Sequence, residues 1–230
     1  MSGFSMKPVA RLQGCFPEKF GVPRQAGLVK ASRGTVVFEP EYRRDEAVRG
    51  LEGFSHLWLV WVFDQVPEDG VRLSVRPPRL GGNEKLGVFA TRSPFRPNRI
   101  GLSAVRLERI VTDREDGPVL EVSGVDLVDG TVILDVKPYV PYADAVPDAV
   151  GAFAAEAPER MPVEVADEAR PRWDMLTEST RHLVVETLGL DARPAYHDEE
   201  RVYHLRVEQW EVDWVVVEGV CRVVAVRTQA

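Results

Sequence analysis

The run from Arg76 to Ser103 constrains this chain more than any other stretch. It reads Arg76-Pro-Pro-Arg-Leu-Gly-Gly-Asn-Glu-Lys-Leu-Gly-Val-Phe-Ala-Thr-Arg-Ser-Pro-Phe-Arg-Pro-Asn-Arg-Ile-Gly-Leu-Ser103. Proline locks its own φ and biases the residue before it towards extended conformations, so Pro94 and Pro97 exclude a helix or a central strand. Only Leu86 to Ala90 has the composition of a strand. The pattern therefore predicts a stiff, extended loop at 93–98.

Three arginines, Arg92, Arg96 and Arg99, lie within eight positions of this loop. A stiff backbone holds their guanidinium groups at fixed separations, and guanidinium matches the geometry of carboxylate and phosphate. Gly101 permits either a tight turn or close approach of the backbone to a ligand. The pattern favours an anion-binding site over a merely solvated, turn-rich connection, but it does not identify the anion.

The charge of the chain is unevenly distributed. A net charge of −7 argues against a generic nucleic-acid binder. From Arg72 to Arg109, however, nine basic residues stand against two acidic ones, so this segment is +7 and the remainder is −14. Either one face of the molecule is basic on an acidic body, or charges alternate over a solvated surface.

The length of 230 residues supports one large domain or two unequal ones. The longest purely apolar run, Leu57 to Phe63, is too short to span a bilayer, and the first residues lack the apolar core of a signal peptide. Cys15 and Cys221 have neither metal-ligand spacing nor the pattern of a disulfide framework. We therefore expect no bound metal, no membrane span and a reducing cytoplasm.

The first 142 residues have the pattern of a mainly β domain. Strands are expected at 7–13, 34–39, 57–63, 103–111 and 119–122. The unbroken apolar run at 57–63 predicts a strand that is buried on both faces. Asp129-Gly130, between two apolar runs, predicts a hairpin. The apolar, proline- and glycine-punctuated loop at 16–28 is long enough to predict a functional role.

The last 88 residues have a different composition. The segment 143–172 is rich in alanine, proline and acidic residues and is predicted to be a linker or loosely packed arm. After it, 173–188 shows helical spacing with Gly189 as C-cap, and three antiparallel strands are expected between residues 202 and 226. We expect a mainly β domain at 1–142 and a small domain at 173–230, which must dock on something because its own core is small.

Several motifs resemble those of the TsaA/TrmO family. They are Arg76-Pro-Pro-Arg-Leu-Gly-Gly-Asn83, Gly87-Val-Phe-Ala-Thr-Arg-Ser-Pro-Phe-Arg-Pro-Asn98, Ile100-Gly-Leu-Ser103, Glu18-Lys-Phe-Gly-Val-Pro-Arg-Gln25 and, in longer members, Asp191-Ala-Arg-Pro-Ala-Tyr196. The resemblance implies a mainly β chain: a single-sheeted β-barrel methyltransferase domain followed by a small α+β C-terminal domain. It also implies a homodimer and S-adenosylmethionine (AdoMet) as cofactor.

The activity implied by the resemblance is methyl transfer to N6-threonylcarbamoyladenosine beside the anticodon of tRNA. The residues that the family pattern assigns to the cofactor are Pro23, Arg24, Gln25, Asp64, Gln65, Arg92, Leu102, Asp126, Leu127, Val128 and Asp129. Methyl transfer needs in-line alignment, and a base helps a weakly nucleophilic nitrogen to lose its proton. The candidate bases are Asp135 and Asp64, the latter at a position where many members carry histidine. The candidate substrate residues are Arg96, Asn98, Arg99, Lys137 and the stacking aromatics Phe95 and Tyr139.

Three other functions remain open at this point. An RNA-binding module without chemistry would bind no AdoMet and would show a steep salt dependence of tRNA affinity. An AdoMet enzyme with a different acceptor would bind the cofactor but would not methylate tRNA. A hydrolase acting on small anions is disfavoured, because no pairing of nucleophile and base can be read from the sequence.

Overall fold

The computed structural model describes residues 5–67, 69–193 and 201–228. The strands within them are β1 (Ala10–Gly14), β2 (Arg33–Phe38), β3 (His56–Val62), β4 (Ser74–Val75), β5 (Leu86–Gly87), β6 (Ile100–Val111), β7 (Val119–Ser123), β8 (Val132–Pro138), β9 (Val163–Val165), β10 (Tyr203–Val207), β11 (Trp210–Val217) and β12 (Val220–Thr228). The α-helices are α1 (Asp45–Val48), α2 (Pro141–Asp144), α3 (Arg170–Trp173) and α4 (Glu178–Leu188). None of the described helices has both the length and the apolarity that a membrane span requires.

Six of these strands close into one antiparallel barrel, which confirms the predicted mainly β, single-sheeted fold. The order around the barrel is β1-β2-β7-β6-β3-β8, and β8 closes it by pairing with β1. The long strand β6 pairs with β3 along seven residues, from Ile100 opposite Val62 to Arg106 opposite His56. Closure leaves no free sheet edge in the barrel, which removes the risk of edge-to-edge association.

Strand β3 is buried on one face only, so the prediction of burial on both faces is wrong. Leu57, Leu59 and Trp61 are buried, whereas Trp58 and Val60 between them are half-buried. A barrel packs side chains in its interior, and its wall has no second covering layer at β3. The apolar residues on the outer face of β3 are therefore left at the surface.

Gly101 lies inside β6 opposite Trp61, rather than in a turn or beside a ligand loop. A Cβ atom added at Gly101 would lie 2.3 Å from the Trp61 indole, much closer than packed atoms can approach. The glycine is thus required by the indole, which also makes an edge contact with Phe63 at a ring-centroid distance of 4.3 Å. This packing fixes the orientation of the Trp61 N–H group.

The predicted hairpin at Asp129-Gly130 is wrong, although the turn itself is present. Gly130 has a φ of 79°, but β7 and β8 are not neighbours in the barrel. The connecting segment instead crosses the end of β1, where Asp129 N donates to Phe16 O and Gly130 N donates to Leu12 O. A turn dipeptide reports local backbone conformation and carries no information about which strands pair across it.

The predicted strand at 86–90 is also largely wrong. Only Leu86 and Gly87 pair, with Val75 and Ser74, and Val88–Ala90 forms a one-turn 3-10 helix. Strand β1 begins at Ala10, three residues later than expected. The remaining barrel strands lie within a few residues of their predicted positions.

The C-terminal region forms a second sheet in the order β10-β11-β12-β9. Strands β10, β11 and β12 are antiparallel as expected. Strand β9 lies inside the segment predicted as a linker and pairs in parallel with β12, so this segment contributes to the sheet. Helix α4 falls within the predicted helix, and Thr177 caps it by accepting from Thr180 N at 3.1 Å. The motif residues 194–196 lie outside the described residues.

Both cysteines are free and buried. Burial raises the pKa of Cys15 to about 11 and that of Cys221 to about 12. Thiols with such pKa values are poor nucleophiles at neutral pH. They are core residues rather than reactive groups.

Candidate active site

A short chain of hydrogen bonds leads from the barrel wall to Asp126. The Trp61 indole N–H donates to Ser103 Oγ at 2.9 Å, and the Ser103 hydroxyl donates to Asp126 Oδ1 at 2.6 Å. Ser103 is almost fully buried on the inner face of β6. Asp126 follows β7, at the start of the crossing segment 124–131. The barrel therefore presents one oriented carboxylate at its rim.

The protonation of Asp126 is shifted by its surroundings. Burial raises the pKa of the carboxyl from 3.8 to about 6. The hydrogen bond from Ser103, the N–H groups of Asp126 and Ala26, and the charge of Arg92 act in the opposite direction and limit the rise. At neutral pH the group is an anion held in a poorly solvated place, which is a common property of functional carboxylates.

The loop at residues 15–32, named here the cofactor loop, is attached to the segment that carries Asp126. Gly27 N donates to Gly124 O at 2.8 Å, and Gly124 N donates to Ser32 O at 2.9 Å. The Ser32 hydroxyl is within hydrogen-bond distance of both Val29 O and Val125 O. This interlocking brings the predicted motif Pro23-Arg24-Gln25 next to Asp126, about one hundred positions away in the chain.

Arg92 joins the same place from a third segment, residues 88–99, named here the arginine loop. Its guanidinium donates to Gln25 Oε1, and its charge acts on Asp126. Gln25, Arg92 and Asp126 were all predicted as cofactor residues, and the fold brings them together. They provide an amide, an exposed cation and a carboxylate. This set suits a ligand that carries both a positive and a negative group.

The exit of β3 lies beside these two loops. Asp64 and Gln65 occupy an exposed turn directly after the strand. Lys19 Nζ in the cofactor loop donates to Gln65 O at 3.2 Å, and Arg99 Nη1 in the arginine loop donates to Val66 O at 2.5 Å. The turn is thus tied to both loops, which places the predicted residues Asp64 and Gln65 at the same rim.

The arginine loop is held in shape by its own arginines. Arg96 Nη1 donates to Thr91 O at 3.1 Å, and Arg99 N donates to Arg96 O at 3.2 Å, closing a β-turn with Pro97 at its second position. This turn contradicts the prediction of an extended loop at 93–98. Proline at the second position is typical of such turns, so the same residue that forbids a helix here favours a bend. Asn98 lies exposed in this turn.

The two aromatic residues predicted to stack on bases already have partners. The Arg72 guanidinium lies over the Phe95 ring, 4.6 Å from its centroid, and the Tyr139 ring packs against Trp58 at 5.5 Å. By contrast, Phe89 is 77% exposed in the one-turn helix three residues before Arg92. Phe89 is the large aromatic surface that the arginine loop presents to solvent.

A second group of predicted residues lies on the outer wall of the barrel, apart from Asp126. Strand register places Leu102 and Asp135 on either side of Val60, and Lys137 beside Trp58, all on the outward positions of β6, β3 and β8. Leu102 is 53% exposed. Asp135 Oδ2 pairs with Lys137 Nζ at 2.9 Å, and its Oδ1 accepts from Val136 N at 2.9 Å.

The remaining predicted cofactor residues shape the crossing segment. Leu127 is fully buried in the core, so only its backbone can face a ligand. Val128 O accepts from Thr131 N at 3.2 Å, and Asp129 Oδ1 accepts from Gly14 N at 2.8 Å. The first bond closes a turn within the segment, and the second anchors the far end of the segment to β1.

Comparison with known proteins decides the family. The model of the tRNA-methyltransferase O N-terminal domain matches residues 11–145, and that of the TrmO C-terminal domain matches residues 158–229. The chain belongs to the TrmO family. The TrmO match thus includes every residue of the site described above and all four strands of the second sheet.

Individual relatives agree with this TrmO assignment. A tRNA (adenine(37)-N6)-methyltransferase of Escherichia coli K12 is 42% identical over 227 residues, covering 95% of this chain and 96% of the relative. One of the same name from Eikenella corrodens is 48% identical over 174 residues, covering 75% and 97%. A Pseudomonas aeruginosa relative, provisionally named an S-adenosylmethionine-dependent methyltransferase, RcsF, is 46% identical and covers 91% and 90%. The crystal structure of TrmO from Pseudomonas aeruginosa superposes with a TM-score of 0.80 at 38% identity, covering 99% of this chain and 98% of that one.

The residues at the rim fit the cofactor that the TrmO family implies. AdoMet carries an ammonium, a carboxylate, ribose hydroxyls and a sulfonium cation. The partly buried Asp126 carboxylate is an acceptor suited to the cations and hydroxyls, and the Arg92 guanidinium and Gln25 amide are suited to the carboxylate or to the base. The donor set is therefore compatible with AdoMet.

Four residues of this site were missed by reasoning from the sequence. Ser103 and Trp61 orient Asp126, Ala26 donates its backbone N–H to it, and Phe89 is exposed beside Arg92. Ser103 and Phe89 lie within the family motif, which was the available signal. The roles of Trp61 and Ala26 depend on contacts across the barrel and have no local signal.

A histidine–carboxylate group in the second sheet is an ion-pair network rather than part of this site. His204, Glu211 and Asp213 bring ligand-type atoms within 4.8 Å of one another. Arg227 pairs with both carboxylates, at 2.9 and 2.8 Å, and Arg206 also pairs with Glu211. The arginines neutralise the negative charge of Glu211 and Asp213 that would be needed to bind a metal cation.

Asp126→Asn is expected to make the free protein more stable at neutral pH. A carboxyl whose folded pKa is raised stabilises the fold only below its ordinary pKa, and this contribution is lost as pH rises from about 4 to about 6. Asparagine does not ionise. The unfolding free energy of Asp126→Asn should therefore exceed that of the wild type by an amount that grows from pH 4 to pH 6. Above this window the difference should level off at about 3 kcal/mol. Urea unfolding at a series of pH values measures it.

Ser103→Ala serves as the control for this pH dependence. It keeps the carboxylate but removes a hydrogen bond that lowers its pKa, so the loss of stability, which still begins near the ordinary pKa of the carboxyl, should continue to higher pH than in the wild type. Parallel stability curves for Asp126→Asn and the wild type between pH 4 and pH 7 would contradict the raised pKa.

Proposed function

We propose that this protein is an AdoMet-dependent tRNA methyltransferase that methylates N6 of adenine 37, with N6-threonylcarbamoyladenosine as the acceptor. The observation that carries the proposal is the meeting of Gln25, Arg92 and Asp126 at the barrel rim of a TrmO-family chain. The relatives named as tRNA (adenine(37)-N6)-methyltransferases support the nucleoside and its position. The positive charge of the arginine loop beside the site supports an acceptor that carries the anionic threonylcarbamoyl group.

The cofactor is held by the rim residues in this proposal. Bound AdoMet supplies a methyl group on a sulfonium centre. Asp126, ionised at neutral pH, and the backbone carbonyls of the crossing segment favour a cation, while Arg92 and Gln25 hold the polar ends of the molecule. Pro23, Arg24 and Gln65 shape the surrounding loops. Most of the catalytic effect then comes from alignment, because methyl transfer is an in-line displacement.

The acceptor is held by the arginine loop. The threonyl side chain of the modified base ends in a carboxylate, which a guanidinium binds in bidentate fashion. Arg96 uses one nitrogen for the loop carbonyls, and a guanidinium has five N–H donors, so Arg96 can hold the loop and bind a substrate anion. Asn98 lies exposed in the adjoining turn, and Arg99 fixes the turn to the exit of β3.

Of the two candidate bases, Asp64 has the more suitable place. It lies in the exposed turn tied to both loops of the rim, whereas Asp135 is on the outer wall and has both oxygens engaged. We therefore assign removal of the N6 proton to Asp64. Asp64→Asn should lower kcat by a larger factor than it raises the Kd for AdoMet, and Asp135→Asn should not lower kcat in this way.

The reaction is tested by a methylation assay with labelled AdoMet and two pools of tRNA. One pool carries threonylcarbamoyladenosine, and the other comes from cells unable to make it. Label is expected in the first pool alone, and digestion to nucleosides should locate it on N6 of the modified adenosine. Label in both pools would refute the dependence on the modification. AdoMet binding without label in either pool would establish a different acceptor, and absence of AdoMet binding would refute the proposal.

We further propose that Phe89 stacks on a base of the anticodon loop. Unpaired RNA bases commonly stack on exposed aromatic rings, and one such contact contributes about 1–3 kcal/mol. Phe89 is exposed, whereas one face of Phe95 is covered by Arg72. Phe89→Ala should raise the KM for tRNA about tenfold or more and leave AdoMet affinity and thermal stability unchanged.

The matched control for this prediction is Phe95→Ala. Because it removes the platform for Arg72 inside the arginine loop, it should lower the melting temperature as well as activity. A Phe89→Ala enzyme with wild-type KM for tRNA would exclude base stacking by Phe89.

We propose a homodimer formed through the outer wall of the barrel. Leu102 is 53% exposed, and it lies beside Val60, Trp58 and Tyr139 on one continuous face of β6, β3 and β8. A partly exposed apolar strip of this kind, bordered by the Asp135–Lys137 ion pair, is typical of an association surface, which combines apolar and polar contacts. The interface would also give Leu102 a role other than contact with the cofactor, and Lys137 a role other than contact with the substrate.

Leu102→Glu should convert the dimer to a monomer, because it places a charge in the centre of the apolar face. Light scattering after size-exclusion chromatography measures the mass. Leu73→Glu is the control: Leu73 is 80% exposed directly before β4, outside the strands β3, β6 and β8. A wild-type protein that elutes as a monomer, or a Leu102→Glu protein that remains a dimer, would refute this interface.

The proposed substrate also suggests a cytoplasmic location. tRNA is modified inside the cell, and the two free thiols are compatible with a reducing compartment. Cell fractionation with an antibody to the protein checks it.

A further inference from the structure

The shape of the cofactor loop depends on contacts from outside it. Residues 15–32 contain no helix or strand. The loop's own backbone hydrogen bonds are long, at 3.4 Å for Val22 to Lys19, 3.5 Å for Leu28 to Gln25 and 3.3 Å for Ser32 to Val29. Bonds of this length contribute little. The loop is therefore shaped by the surfaces on either side of it, and the barrel rim is only one of them.

The second surface is the C-terminal domain, which contacts the loop through helix α4. The Glu186 carboxylate accepts a hydrogen bond from Ala31 N at 3.0 Å. Arg160 donates to Leu28 O in the loop and to Glu186 O at the end of α4, at 3.2 Å for the latter. These bonds hold the part of the loop that follows Gln25.

The sheet of the C-terminal domain holds the earlier part of the loop. Glu208 N, in the turn between β10 and β11, donates to Cys15 O at 2.8 Å, and Arg206 pairs with Glu18 at 3.6 Å. Leu205, fully buried, packs so closely on Gly21 that an added Cβ would lie 2.2 Å from its Cδ1 atom. The loop is thus fixed at both ends and in its middle.

The charge of Arg24 reaches the same domain. Burial raises the pKa of Asp191, but hydrogen bonds from Arg193 and the charges of Arg193 and Arg24 outweigh it, so the pKa is lowered. Asp191 is therefore ionised at neutral pH and attracts Arg24. Arg24, the middle residue of the Pro23-Arg24-Gln25 motif, therefore lies close enough to the C-terminal domain for its charge to act on Asp191.

We propose that the C-terminal domain is a positioning element for the cofactor loop. It holds the loop against the Asp126 segment in the conformation that binds AdoMet, chiefly through Glu186, Arg160 and the Leu205–Gly21 contact. None of these residues belongs to the set predicted to bind the cofactor. The proposal rests on the assignment of AdoMet to the rim, since a loop held ready for binding lowers the ordering cost of association.

The decisive comparison is between Glu186→Ala and Glu186→Gln. Alanine removes the acceptor for Ala31 N, whereas glutamine keeps an oxygen in the same place. Hydrogen–deuterium exchange of the protein without AdoMet should show faster exchange of peptides from 15–32 in the alanine variant alone. The Kd for AdoMet should rise about five- to tenfold in Glu186→Ala, and kcat at saturating AdoMet should stay within twofold of the wild type.

Glu164→Ala is the control for a general loosening of the domain. Glu164 pairs with Arg222 between β9 and β12, away from the loop. It should leave both the exchange of 15–32 and the Kd for AdoMet at wild-type values. Faster exchange in Glu186→Ala with an unchanged Kd would overturn the positioning role, and so would unchanged exchange.

If Glu186→Ala fails to fold, Arg160→Met tests the same proposal in its place. Arg160 lies at the surface, so its replacement removes the bond to Leu28 O with little effect on the core. It should speed the exchange of peptides containing Leu28 and weaken AdoMet binding. The exchange experiment needs neither cofactor nor tRNA, so a wild-type protein that fails to methylate tRNA would refute the proposed reaction while leaving the attachment of the loop to be judged separately.

Discussion

The solvation of one carboxylate organises this structure. Asp126 is an anion at neutral pH in a place where burial raises its pKa to about 6, and the protein must replace the water it loses. Ser103 comes from the barrel wall, Ala26 from the cofactor loop and Arg92 from the arginine loop. Each segment is distant from the others in sequence. The requirement to compensate a single charge therefore brings three separate parts of the chain to one rim, at a cost in stability that is characteristic of functional sites.

The barrel wall serves two purposes because successive side chains along each strand point alternately into the barrel and out of it. Along β6, Gly101, Ser103 and Val105 face inward, and Leu102 between them faces outward. The inward positions carry the Trp61–Ser103–Asp126 chain, and the outward ones extend the apolar face with Trp58 and Val60. A shift of one residue in the β3–β6 register would exchange these roles. The close packing of Trp61 on Gly101 opposes such a shift, since no other residue would admit the indole.

The loops at the rim obtain their rigidity in different ways. The arginine loop is held by Arg96, which binds carbonyls of the loop itself, and by Arg99, which binds Val66 at the exit of β3; Arg92 and Phe89 stay exposed to solvent. The cofactor loop has weak internal bonds and lies between the barrel and the C-terminal domain. Both ways of holding a loop agree with the general rule that functional loops depend on a rigid scaffold. It also explains why a small domain with a limited core docks where it does.

The sequence alone determined the local features and the family. Alternating residues located most barrel strands, the prolines at 94 and 97 excluded a helix, and the long motif from Arg76 to Ser103 indicated a TrmO-type methyltransferase. Only the tertiary structure decided that the Asp129-Gly130 turn crosses β1, that β9 joins the second sheet, and that Phe89 rather than Phe95 is exposed. It also decided that Asp126 is partly buried within hydrogen-bond reach of Ser103 and that Asp135 lies on the outer wall. The physical reason is that strand partners, burial and the sharing of charges are set by contacts between residues far apart in the chain, whereas sequence patterns report mainly on neighbours.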